Sequence, residues 1–239
     1  MFEVPGKFKG HGNTFVSGGK DGLICVWNLD HVQENLSPIE SLKVNDPVRC
    51  VVTGGESDGF IAGTLMNDIF HIYNNKEKIQ KVEPIVVGHT GEVCALDINE
   101  SIVASGCTDG KLVVRDPRTG EHIWSVKLAE GVKSLAIVPV ISNILVGSAG
   151  GKIVCFSREG DELFTNKQAN DELTSLKIDS SGSLLAAGSR DQCIYLFSYH
   201  ESKLMKFGVL KGHSSTVLHI DWTLSGSKVL QTFNNLKTV

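Results

Sequence analysis

Apolar residues along the chain fall in short runs separated by tight polar turns, and one turn-and-run form recurs. Its clearest copy is Thr108-Asp109-Gly110-Lys111-Leu112-Val113-Val114-Arg115-Asp116. This reads as an Asp-Gly turn, a short strand of alternating residues and an acidic cap. Asp-Gly between apolar runs is a strong hairpin signal, since both residues tolerate positive φ. The same form returns as Asp21 to Asn28, Gly150 to Ser157 and Asp191 to Ser198, and more weakly as Asn67 to Asn74. The seventh residues of these copies, Trp27, Tyr73, Arg115, Phe156 and Phe197, lie 46, 42, 41 and 41 residues apart.

The third copy predicts a whole unit. Val93 to Ile98 alternates, Ile102 to Gly106 follows, the Asp109 hairpin comes next, and Pro117-Arg118-Thr119-Gly120 turns into Glu121 to Val126. That is four strands in about forty residues, the signature of a β-propeller array. No stretch keeps a helical period, so the expected class is all-β. The boundaries fall at 45–87, 88–128, 129–168 and 169–211 for complete blades, with partial blades at 10–44 and 212–239.

Composition changes little. The 239 residues are 41% hydrophobic and 21% charged, with 25 Gly against 6 Pro, as in one ordinary globular β domain. A net charge of −4 has the wrong sign for a protein that neutralises phosphates, so no nucleic-acid partner is expected. The longest apolar run, Leu135 to Ile141, is broken by Pro139 and far too short to span a membrane. Met1 to Pro5 lacks the character of a signal peptide, so the sequons at Asn35 and Asn99 read as coincidences. Cys25, Cys50, Cys94, Cys107, Cys155 and Cys193 show no metal spacing and read as reduced core thiols of a cytosolic protein. No metal and no cofactor are expected. Gly147 to Lys152 has Val146 where a phosphate loop needs its first Gly, and it leads into a strand, not a helix. Lys76, Lys78 and Lys81, interleaved with Glu77 and Glu83, read as a solvated hairpin tip.

Gly88-His89, Ser105 and Asp109 in the third unit, Asp21 and Trp27 in the first, Asp191 in the fifth and Gly212-His213 in the sixth together resemble the WD-repeat family. The resemblance implies that these side chains form hydrogen-bonded chains fastening each blade, with Asp109 the acceptor for His89 and Ser105. They are structural groups rather than catalytic ones. Arg115 stands where that pattern has Trp, and the fourth and fifth units lack the His. Longer stretches resemble the echinoderm microtubule-associated-protein-like family: Val16 to Gly22, Asp46 to Arg49, Gly88 to Leu96, and Val217 to Trp222 followed by Leu230-Gln231. Its partner face, by that resemblance, uses the residue before each turn Asp: Lys20, Thr108 and Arg190.

The expected function is a non-enzymatic protein–protein scaffold on a microtubule or in a cilium, cytoplasmic and cytoskeletal, with no membrane partner. Tubulin or another protein is the expected partner. The alternative is an adaptor subunit of a ubiquitin-ligase or transport complex. An enzyme would gather carboxylates and histidines in a cleft, whereas here they fall at turns the repeat explains. One further expectation concerns closure. His89 and Ser105 are 16 residues apart but His11 and Ser17 only 6, too few for an inner strand and turn. The first blade is therefore expected to lack its inner strand, leaving open edges that a longer chain or a neighbouring chain completes.

Overall fold

The structure, a computed structural model, is described for residues 2–6, 14–28, 37–53, 59–65, 68–75, 78–81, 88–223 and 229–233. These are strands joined by turns, bends and irregular links, with no helix among the described residues. The chain divides into two compact units: residues 1–109 with 113–123, and residues 110–112 with 124–239.

The first sheet joins β1 (Phe2–Gly6), β2 (Thr14–Gly18), β3 (Leu23–Asn28) and β4 (Glu40–Lys43) in chain order. The second joins β5 (Val48–Thr53), β6 (Gly59–Thr64), β7 (Ile69–Asn75) and β8 (Lys78–Lys81). The third has β9 (Val93–Ile98), β10 (Val103–Cys107), β11 (Lys111–Arg115) and β12 (His122–Lys127). The fourth has β13 (Val132–Ile137), β14 (Ile144–Ser148), β15 (Lys152–Phe156) and β16 (Glu162–Lys167). The fifth has β17 (Leu173–Ile178), β18 (Leu184–Ser189), β19 (Ile194–His200) and β20 (Lys203–Leu210). A last pair joins β21 (Val217–Trp222) to β22 (Val229–Phe233).

Two expectations change. The first sheet has an inner strand: β1 pairs antiparallel with β2, Phe2 opposite Gly18 and Gly6 opposite Thr14. The spacing argument counted from His11, which lies outside the described residues, whereas the strand precedes that position. Pro5 hid it, but β1 is the terminal strand of its sheet, where a residue without an N–H is tolerated. Among the described residues there are thus five four-stranded sheets and one pair. Both edges of β2 are taken by β1 and β3, and β21 pairs with β22.

The second change is in patterning. β10, β14 and the last four residues of β11 and β15 are buried along their whole length rather than at alternate positions. Burial on both faces makes each of these strands read as a continuous apolar run. In the first unit, Val16, Ile24 and Val26 pack against Val51, Phe60 and Phe70, while Ile61 and Ile69 pack against Val93 and Leu96. In the second unit, Leu145, Ile153 and Cys155 meet Leu173, Leu185, Tyr195 and Phe197. Val217 and Ile220 of the last pair cover Ala186 and Ile194. The Trp222 indole N–H caps that contact by donating to the Lys177 carbonyl at 2.9 Å. The outermost strands are mostly exposed.

A bulge recurs near the start of the inner strands. The register slips at Val48/Cys50, Val132/Ser134, Leu173/Ser175 and Val217/His219, and opposite Val93 and Ala95 at Gly106/Cys107. The extra residue in each is Arg49, Lys133, Thr174, Leu218 and Cys94. A bulge re-aims one side chain. Two of these aim a cation at a Glu that precedes the next inner strand: Arg49 to Glu92 at 3.2 Å and Lys133 to Glu172 at 3.4 Å.

Candidate functional site

The hairpins carry the polar chemistry. Gly22, Gly110 and Gly151 follow the turn residue with φ of 73°, 87° and 77°, a region that excludes most side chains. A Cβ there would stand 2.6 Å from the Val44 carbonyl oxygen, 2.6 Å from that of Leu128 and 2.5 Å from that of Ala169. The glycine carbonyls in turn accept hydrogen bonds from Val44, Leu128 and Ala169 N–H at 2.9, 2.9 and 3.0 Å. Each hairpin is thus clasped to the loop that leaves its own sheet. In the fifth sheet the same slot holds Gln192, at φ 70°.

In the third sheet buried His89 meets Ser105 Oγ through Nε2 at 2.7 Å, and the Ser105 hydroxyl donates onward to the Val113 carbonyl at 3.3 Å. The hydroxyl has one proton and gives it to Val113, so the imidazole Nε2–H donates to Ser105. Asp109 accepts from the Thr90 hydroxyl and the Cys107 thiol. The Ser105 hydroxyl thus links the imidazole to the strand backbone. Arg115, in the slot that Trp27 fills in the first sheet, is 3% exposed, and its Nη1 has no hydrogen-bond partner among the described residues. Burial pulls its pKa down. In the first sheet Trp27 stacks on Phe15 at 5.8 Å, and its N–H donates to Ser17 Oγ at 2.8 Å. Asp21 there accepts from Leu23 N–H at 3.0 Å.

The fourth sheet lacks both the His and the turn Asp, and the structure supplies a carboxylate that the sequence did not reveal. Glu130, from the loop before β13, accepts from Ser148 Oγ at 2.6 Å and Gly150 N–H at 3.0 Å, and pairs with Lys152 Nζ at 2.6 Å. A Cβ at Gly150 would run into that carboxylate, so the absence of a side chain there makes the room. Lys152 first, then the Ser148 hydroxyl, hold the Glu130 pKa below its ordinary value against the opposing effect of burial. These groups line a cleft of about 270 Å³ with Leu128, Phe156 and Thr165.

The fifth sheet replaces the imidazole with a phenol. Asp191 accepts from the Tyr195 hydroxyl at 2.6 Å, Asn170 N–H at 3.1 Å and Cys193 N–H at 3.1 Å. Burial alone would raise the Asp191 pKa, but these bonds outweigh it and lower it. Burial and the facing carboxylate push the Tyr195 phenol up. From the sequence Tyr195 has no assigned role; a phenol four residues after the turn Asp was the signal.

Lys20 and Arg190 are exposed and Thr108 is half-buried, each directly before its hairpin Asp. Thr108, Ala149 and Arg190 N–H donate to the carbonyls of Glu92, Gly131 and Glu172 at 2.9, 2.9 and 3.0 Å, so this position has one backbone geometry. Arg190 also lies 3.6 Å from Glu172, which Lys133 shares. His213 is half-buried. Burial and Lys177 lower the pKa of the neighbouring His219. Asn99, one of the two sequon residues, accepts from Ser101 and Ile102 N–H at 2.9 Å and closes a turn. All six cysteines are free thiols, and burial raises Cys50 to about 12 and Cys155 to about 11, which keeps both protonated. No cluster suited to a metal occurs among the described residues. The side chains of the Lys76, Lys78 and Lys81 group lie outside the described residues.

The WD domain, G-beta repeat family matches residues 7–28, 81–116 and 160–198, the stretches that carry Asp21, Asp109 and Asp191. The chain is 26% identical to the 77 kDa echinoderm microtubule-associated protein of Strongylocentrotus purpuratus, over 91% of this chain and 32% of that protein. It is 28% identical to echinoderm microtubule-associated protein-like 1 of Homo sapiens, over 89% of this chain and 26% of that protein. For echinoderm microtubule-associated protein-like 4 of Xenopus laevis the identity is 26%, over 89% and 23%. The chain spans less than a third of the length of these curated relatives. The chain is a β-sheet protein in which three stretches match the WD domain, G-beta repeat family, and it is similar over most of its length to the echinoderm microtubule-associated proteins and their -like relatives.

Proposed function

We propose that this chain is a non-enzymatic scaffold for protein–protein contact that associates with microtubules or the ciliary axoneme, in the cytoplasm and on the cytoskeleton. The observation that carries the reading is the similarity, along about nine-tenths of the chain, to proteins named for microtubule association. The use of hairpin Asp, Glu, Ser, His and Tyr groups in holding loops supports a binding rather than a catalytic role. Lys20, Thr108 and Arg190 are the proposed contacts, each directly before a hairpin Asp, with Lys20 and Arg190 exposed.

Co-sedimentation of the 239-residue chain with stabilised microtubules tests this. The chain should pellet with the polymer at low salt and progressively less as salt screens the contact. The Lys20→Glu/Arg190→Glu variant should pellet less at equal tubulin, with its thermal melt confirming the fold, since Arg190→Glu also faces Glu172. Unchanged pelleting in the variant removes these two contacts. No pelleting at low salt overturns the microtubule reading and leaves an adaptor subunit of a ubiquitin-ligase or transport complex.

A further inference from the structure

We propose that β20 is a docking edge for an extended, acidic and apolar peptide segment of a partner protein, which adds to the fifth sheet as a further strand. The order β17-β18-β19-β20 leaves β20 with β19 on one side and no strand on the other among the described residues. At eight residues it is longer than the other outer strands, which have four or six. Native proteins usually keep such edges short or blunted, because unpaired backbone groups template another strand. Here the edge is long and carries exposed apolar side chains between lysines. Met205 is 70% exposed and Phe207 60%, and Val209 and Leu210 are also among the exposed large hydrophobics. By contrast β12 exposes Ile123 and β16 Leu163. The register slip between Leu196/Phe197 puts Gly208 opposite Leu196 and Lys206 opposite Phe197, so Phe207 faces no ladder partner.

Charge decides the occupant. Lys203, Lys206 and Lys211 stand along this edge, with no acidic residue from 203 to 211. Lys206 Nζ lies 5.4 Å from the centre of the Tyr195 ring, which holds that cation beside the ladder. A second β20 laid antiparallel would set lysine against lysine, and like charges across a pair repel. An extended segment alternating acidic and apolar residues sets carboxylates against the lysines and covers Met205 and Phe207. Its backbone supplies affinity through the ladder, and its side chains supply selectivity. None of Lys20, Thr108 and Arg190 lies on β20, so this surface is independent of the microtubule reading.

The test uses a short fluorescein-labelled peptide alternating valine and glutamate, titrated with the 239-residue chain and followed by anisotropy. A saturable rise is expected, weakened about tenfold for the lysine analogue and about tenfold for the glutamate peptide N-methylated at alternate residues. Met205→Ser/Phe207→Ser should lose about tenfold in affinity while melting within a few degrees of the parent, since both side chains are already exposed. Should that variant misfold, Lys203→Glu/Lys211→Glu serves instead and should reverse the preference toward the lysine peptide. No binding of the glutamate peptide overturns the proposal. So does equal binding by the N-methylated peptide or by a folded variant. A concentration-dependent dimer in sedimentation that Met205→Ser/Phe207→Ser abolishes would instead assign the edge to a second copy.

Discussion

The third and fourth sheets solve one problem with different residues. In the third, an imidazole and a hydroxyl chain onto strand backbone, and the turn Asp109 takes Thr90 and Cys107. In the fourth there is no imidazole, and the turn residue is Gly150. A carboxylate from 20 residues upstream takes the hydroxyl of Ser148 and the N–H of Gly150. A half-buried hydroxyl or amide loses roughly 1–3 kcal/mol if left without a partner, and the origin of that partner is immaterial. The repeat therefore constrains a place in space, an acceptor beside the hairpin, more tightly than a place in sequence. The fifth sheet makes the same point with Tyr195 donating to Asp191.

The largest effect should come from what both sheets share. Gly151→Ala places a Cβ against the Ala169 carbonyl at positive φ, and should cost about 3 kcal/mol in urea unfolding. A loss under about 1 kcal/mol would mean the clasp is soft.

The exchange itself comes next. Glu130→Ala should cost roughly 1–3 kcal/mol, since the Ser148 hydroxyl and Gly150 N–H lose their acceptor. Gly150→Asp alone collides with Glu130 and should also destabilise. Together, Glu130→Ala and Gly150→Asp return the carboxylate to the turn and should recover about half the sum of the single losses. Additive losses would show that position, not an acceptor, is what matters.

A smaller effect separates the sheets by pH. The folded pKa of Glu130 lies below its ordinary 4.5, so the unfolded chain binds more protons near that pH. Stability from Glu130 is present above 4.5 and is lost as pH falls through the folded value. Glu130→Gln should flatten part of the acid slope of the melting temperature, and an unchanged slope would remove Glu130 as a contributor. Smallest is Gln192→Gly, which relieves a side chain at φ 70° and should stabilise by at most about 1 kcal/mol. A destabilised variant would show that the Gln192 side chain makes contacts worth more than its strain.

The hairpins were legible because Asp-Gly and its relatives mark positive φ locally, and Gly22, Gly110 and Gly151 adopt it. The apolar run Ile102 to Gly106 located β10 but not its burial along its whole length, which depends on tertiary packing. β1 was missed because Pro5 and Gly6 carry no strand signal, and its pairing needs only backbone. Glu130 was missed because a reading by position looks for the acid at the turn. Arg49 and Lys133 look like surface cations until a bulge aims them. His89 and Ser105 lie 16 residues apart in sequence and meet at 2.7 Å across the third sheet.

The hairpin clasp has a consequence for how damage spreads. A glycine carbonyl in one sheet accepts from the loop entering the next, as with Gly22 and Val44, and again with Gly151 and Ala169. Fastening of this kind couples nearest neighbours, much as spins couple along a one-dimensional lattice. Opening one link raises the free energy of the adjoining sheet before any other, so amide exchange after Gly151→Ala should quicken in the fourth and fifth sheets together. The lesion would then be read as a domain wall between ordered neighbours, with a position along the chain, rather than as a uniform loosening.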